Sequence, residues 1–328
     1  MMACSAARPA RPARPARLTP MVRAGSHRVL TNHIGPPNPR PVHSRPIVAR
    51  CGTALKVSRE LVLAGTPCKN RPAMVDSDKH WVRFGQFDPY LKTVKTLDPY
   101  KLDPSLPPSS EFYFESGDRY LTDLFAEIDR RVAPGFRPRR AVDFGCSVGR
   151  IAVPLASRCD SMIGVDISPD ALAEAERNAA HFRVTNAQWV LSDDDLSRVG
   201  EPVDLFHSYN VLQHLPVSRG LAIVRRALAL LRPGGIIAVH VPYADHASGA
   251  RRAINWAQAH VPGVGQLANL ARGRPRDYPH MLMNPYDIGL IFSTLRDRGC
   301  ERAHCKFVDQ QRYPGVIVIA QVASQTSA

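Results

Sequence analysis

The sequence predicts an α/β protein with a seven-stranded, mostly parallel sheet, an antiparallel C-terminal hairpin, and helices on both faces. Short apolar segments alternate with longer amphipathic segments over residues 141–300. This pattern is typical of parallel strands that are joined by crossover helices. The last two apolar segments, 301–308 and 314–322, are separated by only a few residues and must therefore pair antiparallel.

The individual elements follow from periodicity and from end signals. Helix-period segments fall near 149–157, 169–182, 217–231 and 284–299. Strands are predicted at 141–145, 161–167, 187–192, 203–209 and 235–241, followed by the two strands of the hairpin. The helix after the second strand has the clearest start, because Ser168 is a good N-cap and Pro169 suits the first helical position.

The N-terminal part of the 328-residue chain differs in composition from the rest. Residues 1–75 contain 13 Lys and Arg against the single acidic residue Glu60, whereas the remainder is nearly neutral. The net charge of +14 therefore belongs mainly to this segment, and a nucleic-acid groove in the folded part is not expected. Its Pro and Arg content predicts a disordered tail.

Three interpretations of the tail remain open: an organelle-targeting segment, a basic arm, or sequence upstream of a true start at Met74. Residues 76–140 are predicted to form a helical leader, and 141–328 the main domain. Seven cysteines without a CxxC pair indicate neither a zinc site nor a disulfide framework. No apolar run reaches the length of a membrane span, so a cytoplasmic protein is expected.

Three small residues stand where the first predicted strand turns into a helix. Gly145, Ser147 and Gly149 lie in the sequence AVDFGCSVGRIAVPLA. Such a turn gathers backbone N–H groups and the positive end of a helix, and a ligand approaches it closely only past small side chains. The G-x-G-x-x-G pattern of dinucleotide sites is not met, because Ser147 and Arg150 replace its second and third glycines.

Acidic residues end the next two predicted strands. Asp166 closes MIGVD, where a carboxylate accepts hydrogen bonds from two ribose hydroxyls. Asp193 and Asp194 follow the third strand, where an acceptor meets the exocyclic amine of adenine. All three lie at the carboxyl ends of neighbouring parallel strands, which is the usual ligand crevice of an open α/β sheet.

In these residues the chain resembles the class I S-adenosylmethionine-dependent methyltransferases, which have a Rossmann-like seven-stranded sheet. The resemblance covers about residues 141–322 and includes the ordered motifs VDFGCSVGR, MIGVDIS, VLSDDD, VDLFHSYNVLQHL and LLRPGG. It implies S-adenosyl-L-methionine as the cofactor and a methyl transfer as the reaction. The cofactor-binding residues that it implies are Asp143, Gly145, Ser147, Gly149, Arg150, Asp166, Ile167, Asp193, Asp194 and Asn210.

The leader also resembles that of bacterial methyltransferases in which a helix covers the cofactor. Within EFYFESGDRY, the aromatic residues Phe112, Phe114 and Tyr120 are candidates either for the pocket lining or for plain core. The periodicity predicts an amphipathic helix with Phe112 and Tyr120 on its inward face.

The acceptor is less well defined by the sequence. His214 and His240 are candidate bases beyond the fourth and fifth strands, together with Tyr243. His214 is equally interpretable as a helix-start or packing residue, and a histidine within a strand, such as His240, is more often a satisfied interior residue. Tyr209-Asn210-Val211 follows the fourth strand instead of the Asn/Asp-Pro-Pro-aromatic tetrad of enzymes that methylate nucleic-acid amines. We therefore expect a small-molecule or glycan-type acceptor, and no nucleic acid bound by the folded core.

An insertion at about 243–283 is predicted to be an acceptor lid. Its five arginines, at 251, 252, 272, 274 and 276, leave open an anionic acceptor such as a carboxylate or a phosphate. Two other functions stay open as well. One is an NAD(P)-dependent oxidoreductase, and the other is a non-catalytic regulatory protein that keeps the cofactor fold.

Overall fold

A computed structural model describes residues 77–87, 90, 111–278, 281–309 and 312–324 of the chain. The predicted tail at 1–75 lies outside these residues. Among the described residues, no helix combines the length and the hydropathy that a membrane span requires.

The described elements begin with helices α1 (Ser77–Phe87) and α2 (Glu111–Glu127), and α2 continues into a π-helical turn at Ile128–Val132. The strands are β1 (Arg140–Phe144), β2 (Ser161–Asp166), β3 (Ala187–Leu191), β4 (Val203–Ser208), β5 (Leu231–Pro242), β6 (Cys300–Val308) and β7 (Gly315–Val322). The remaining helices are α3 (Ala152–Ala156), α4 (Pro169–His181), α5 (Val217–Leu230), α6 (Gly249–His260), α7 (Val264–Ala271) and α8 (Ile288–Asp297).

The seven strands form one sheet in the order β3-β2-β1-β4-β5-β7-β6. The first five strands are parallel, and β7 pairs antiparallel with both β5 and β6. The α/β class, the mostly parallel sheet and the antiparallel end are thus confirmed. The order reverses direction at β1, where the chain winds first towards β3 and then returns to β4, so the loops after β1 and β4 border a crevice.

Two apolar layers cover the sheet. On one face, α5 and α8 pack over the side chains of Phe206, Ile237 and Val239. On the other face, α2, α3 and α4 pack over Ala141, Met162 and Leu205. Successive side chains of a strand point to opposite faces, and this alternation divides the apolar residues between the two layers.

Some local expectations were wrong. Phe112 is 51% exposed, while Tyr113 and Phe114 are buried. The buried face of α2 includes Tyr113, Gly117 and Tyr120, spaced by four and three residues, and Phe112 falls outside it. The helix after the glycine turn begins at Ala152, later than the predicted 149, because the chain first makes turns over 147–151.

Candidate functional site

A cavity opens at the carboxyl ends of β1, β2 and β4, over the point where the strand order reverses. Eight of the predicted cofactor-binding residues line this cavity: Asp143, Gly145, Ser147, Arg150, Asp166, Ile167, Asp194 and Asn210. The predicted base His214 also lines it. Three predicted site residues are not part of the lining, namely Gly149, Asp193 and His240.

The glycine turn adopts the left-handed backbone that its small residues allow. The φ angles are +75° at Gly145, +50° at Ser147 and +89° at Gly149. A Cβ at Gly145 would lie 2.2 Å from a methyl group of Val211, which follows β4, so only glycine fits between these two loops. Gly149 packs instead against Val153 and Trp189, away from the cavity. The glycines therefore serve close packing as well as access to the cavity.

The carboxylate of Asp166 ties the glycine turn to the loop after β2. It accepts hydrogen bonds from the backbone N–H groups of Ser147 and Ser168, both at 2.9 Å. Burial raises the pKa of Asp166 above its usual range, against the lowering effect of these N–H donors. Each carboxylate oxygen keeps a further acceptor position, so Asp166 is able to bind hydroxyl groups of a ligand while it holds the turn.

The two neighbouring aspartates after β3 have different surroundings. Asp193 accepts hydrogen bonds from the backbone N–H and the hydroxyl of Ser197, at 2.9 and 2.5 Å, and so stabilises a short 3₁₀ turn. Asp194 lines the cavity and receives two N–H groups of Arg219, from Nε at 2.9 Å and from Nη2 at 2.7 Å. The same guanidinium donates to Asp78 of α1, at 2.6 and 2.9 Å. Arg219 thus joins α1 to the loop after β3.

Helix α1 covers the cavity. Trp81, Phe84 and Gly85 contribute to the lining together with Asp78. The helix lies so close to the start of α4 that a Cβ at Gly85 would lie 2.0 Å from the hydroxyl of Ser168. Trp81 and Phe84 thus join Phe144 and Tyr209 in the aromatic lining, whereas Phe112, Phe114 and Tyr120 are not part of it.

A buried polar network lies beneath the lining. Asp143 and His207 are neighbours in the parallel register of β1 and β4, and Nδ1 of His207 lies 2.7 Å from the Asp143 carboxylate. The hydroxyl of Tyr120 lies 2.9 Å from Nε2 of the same ring. With Nδ1–H donating to the carboxylate, Nε2 accepts from Tyr120. Buried Arg150 also reaches α2 and donates to Ser116 at 3.3 Å.

The two candidate bases lie in different positions. Nδ1 of His214 donates to the carbonyl of Leu282 at 2.8 Å, and the ring stacks at an angle on Trp81. Burial lowers the pKa of His214 to about 4 and that of His240 to about 3, so both rings are neutral near pH 7. His240 is fully buried beside Tyr209, and neither ring nitrogen has a hydrogen-bond partner among the described residues.

Several residues of the site were not predicted from the sequence, namely Asp78, Trp81, Phe84, His207 and Arg219. The three residues of α1 share one face of that helix at spacings of three, and this spacing was the available signal. His207 and Arg219 gave no such signal, because each acts on residues far away in the sequence.

The strand order, the glycine turn and the acidic strand ends together define a Rossmann-like domain of the methyltransferase class. Residues 141–235 match the model of a family described as "Methyltransferase domain". Residues 141–235 therefore form a methyltransferase domain with the fold of the class I S-adenosylmethionine-dependent enzymes.

Among curated proteins, the chain is similar to the ubiquinone biosynthesis O-methyltransferase of Cereibacter sphaeroides, with 26% identity over 48% of this chain and 56% of that protein. It is also similar to the trans-aconitate 2-methyltransferase of Methylobacterium radiotolerans, with 34% identity over 36% of this chain and 43% of that protein. The chain thus spans about half the length of the curated relatives that it matches.

Among solved structures, the magnesium protoporphyrin IX methyltransferase of Synechocystis with bound SAH aligns with a TM-score of 0.50 and 18% identity. The alignment covers 75% of this chain and 98% of that protein. At this identity the likeness concerns the fold.

Proposed function

We propose that the chain is an S-adenosyl-L-methionine-dependent methyltransferase that acts on a small-molecule or glycan-type acceptor. The observation that carries the proposal is the single cavity lining shared by the glycine turn, Asp166 and Asp194, at the reversal point of the sheet. The relatives named above support the reaction class, because each of them is a methyltransferase.

The residues of the lining suit the parts of this cofactor. Gly145 and Ser147 would hold the amino-acid portion, Asp166 the ribose, and Asp194 the adenine amine, while Ile167, Arg150 and Asn210 complete the walls. The bound cofactor supplies an electrophilic methyl group on a sulfonium. The chain then has to align an acceptor with that methyl group and exclude water, and Trp81 and Phe84 of α1 serve the second task.

The charge of the lining favours this ligand over a dinucleotide. Four carboxylates line the cavity, those of Asp78, Asp143, Asp166 and Asp194, with Arg150 and Arg219 as the cations. Arg219 donates hydrogen bonds to two of these carboxylates, those of Asp78 and Asp194. A sulfonium and an ammonium group are stabilised by such a lining, whereas a pyrophosphate is repelled by it. This contrast argues against the oxidoreductase alternative.

His214 is the better of the two candidate bases. It lines the cavity, and because Nδ1–H donates to Leu282, Nε2 is the nitrogen that is free of a proton in the neutral ring. His240 is not part of the lining, so a role for it requires an acceptor that reaches past Tyr209. An acceptor hydroxyl held near His214 would give its proton to this ring as the bond to carbon forms.

The test is calorimetric titration of the full chain with S-adenosylhomocysteine and with NAD. We expect binding of the first and none of the second. Asp166→Ala should weaken the binding of S-adenosylhomocysteine by about 1–3 kcal/mol, which is the cost of leaving buried polar partners unpaired. Asp160→Ala, at the exposed opposite end of β2, should bind normally.

Because Asp166 also holds the glycine turn, the unfolding of each variant is measured in parallel. Unchanged affinity in a folded Asp166→Ala protein would refute the site assignment. Tight NAD binding would refute the proposed function. Binding of the cofactor without methyl transfer to any acceptor in a cell extract would favour the regulatory alternative.

A further inference from the structure

The predicted lid insertion contains two helices, α6 and α7, that turn their large apolar side chains outwards. Neither helix has a buried residue. Ile254 and Trp256 of α6 are 54% and 60% exposed, and Leu267 and Leu270 of α7 are 67% and 55% exposed. We call this segment, Gly249–Ala271, the helical hairpin. Its outward apolar residues are grouped in two short helices and are not scattered singly.

Small residues explain how the hairpin holds together without these large side chains. A Cβ at Gly265 would lie 2.8 Å from the backbone carbonyl of Gln258, so α7 approaches α6 at a glycine. The partly buried apolar side chains of the hairpin are small, namely Ala257, Ala259, Val264 and Ala268, while Leu267 and Leu270 are exposed. The internal contact of the hairpin therefore uses little apolar surface, and most of that surface is left to solvent.

Cationic side chains flank the apolar ones. Five exposed arginines occupy the hairpin and the segment that follows it: Arg251, Arg252, Arg272, Arg274 and Arg276. Within the described part of the chain, none of them forms an ion pair with a carboxylate. The only acidic residue of 249–278 is Asp277, and it pairs with Arg83 of α1. The surface is thus apolar in its centre and positively charged at its ends.

We propose that the helical hairpin docks this protein on the surface of an anionic lipid bilayer. An exposed Trp with neighbouring Leu and Ile side chains suits the boundary between headgroups and acyl chains, and arginines close to it attract anionic headgroups. Helices of 12 and 8 residues lie on a bilayer and do not span it.

The experiment uses the full chain with vesicles of phosphatidylcholine, with and without phosphatidylserine, in which a fraction of the lipid carries brominated acyl chains. Bromine quenches the fluorescence of tryptophan only at short range. A loss of fluorescence therefore reports that the tryptophan side chain has entered the acyl-chain region. The N-terminal segment, with its 13 basic residues, can also bind anionic vesicles, but it contains no tryptophan. We expect quenching with phosphatidylserine and its loss in Trp256→Phe, since the other tryptophans, Trp81 and Trp189, are partly buried elsewhere.

Two further variants separate the apolar and the charged contributions. Leu267→Gln with Leu270→Gln should abolish the quenching and leave the fold unchanged, because both side chains are exposed. Replacing Arg272, Arg274 and Arg276 with Gln should weaken vesicle binding on the order of 100-fold, at roughly fivefold per arginine. The matched control is Phe307→Gln, an aromatic residue of β6 that is 74% exposed outside the hairpin, and it should bind and be quenched normally.

Three results would overturn the proposal. The first is vesicle binding without quenching of Trp256, which would assign the membrane contact to the N-terminal segment. The second is a loss of vesicle binding and fluorescence quenching in Phe307→Gln as large as that in the hairpin variants. The third is a dimer in light scattering that the two leucine substitutions dissociate, which would make a second copy of the chain the occupant. None of these readouts requires methyl transfer, so they are independent of the proposed function.

Discussion

Replacing Arg219 with alanine tests how α1 is held over the cavity. The guanidinium donates to Asp78 on α1 and to Asp194 after β3, with N–O distances from 2.6 to 3.1 Å. Its Nη1 also lies 3.3 Å from the hydroxyl of Ser77. The neighbouring carboxylates raise the pKa of Arg219 further above its usual value, so it stays charged at any accessible pH.

The size of the effect follows from exposure. The side chains of Arg219, Asp78 and Asp194 are 27%, 37% and 58% exposed, so solvent screens both pairs. Partly exposed pairs with forked geometry contribute about 0.5–1 kcal/mol each. Only the pair with Asp78 is broken when α1 opens, so its loss should favour opening by about 0.5–1 kcal/mol, which corresponds to a factor of roughly 2 to 5.

The assay is hydrogen exchange of the α1 amides, followed by mass spectrometry of a peptide that covers 77–87. Exchange should accelerate by the same factor of roughly 2 to 5 in Arg219→Ala. Arg219→Lys should recover only part of the protection, because an ammonium cannot bridge two carboxylates with a fork. High salt should accelerate exchange in the wild type and have little effect on Arg219→Ala.

Arg226→Ala is the matched control, because Arg226 lies on the same helix α5 and donates only to the backbone carbonyl of Asp195, at 2.6 Å. It should leave exchange of α1 unchanged. An acceleration of less than twofold in Arg219→Ala, or the same acceleration in Arg226→Ala, would refute the role of Arg219 in holding α1. An acceleration spread over the whole sheet would mean that Arg219 stabilises the fold in general and not α1 in particular.

Two further predictions concern stability. A Cβ at Gly117 of α2 would lie 2.0 Å from the carbonyl oxygen of Arg150, so Gly117→Ala should lower the free energy of unfolding, measured in urea, by about 1–3 kcal/mol. The control Gly249→Ala should be neutral, because no atom lies within 4 Å of a Cβ at that position. Because the folded pKa values of His214 and His240, about 4 and 3, lie below the unfolded value of 6.5, the unfolded chain binds more protons and stability is lost as the pH falls from 6.5 towards 4. His240→Leu should reduce this slope by up to about 1.4 kcal/mol per pH unit, and an unchanged slope would contradict the burial argument.

The sheet was predictable because its signals are local. Strand length, apolar runs and the short connection before β7 each depend only on residues close together in the sequence. These signals were sufficient to predict the strand directions. The position of the glycine turn is local as well, since it lies between an apolar strand and a helix. The start of the helix at Ala152 was missed because the turns before it depend on the left-handed backbone of Ser147 and Gly149.

The distinction between Asp193 and Asp194 was not available from the sequence. Adjacent residues after a strand point in different directions, and the choice between them depends on the chain that follows. Here Ser197, at the start of the 3₁₀ turn, donates a hydrogen bond to the Asp193 carboxylate. Arg219, 25 residues further along the chain than Asp194, donates to the Asp194 carboxylate. Both partners are ordinary surface residue types, so no composition or spacing indicates which aspartate faces the cavity.

Asp143 shows how such distant partners limit the chemistry of a motif residue. Its place beside the glycine turn suggests a ligand contact, yet one carboxylate oxygen is bound to His207, the residue opposite it on β4. Tyr120 of α2 completes the network on the other ring nitrogen of His207. Because the network is buried, removing any member leaves the others unpaired. Asp143 therefore anchors α2 against the sheet with one oxygen, and only its other oxygen remains for a ligand.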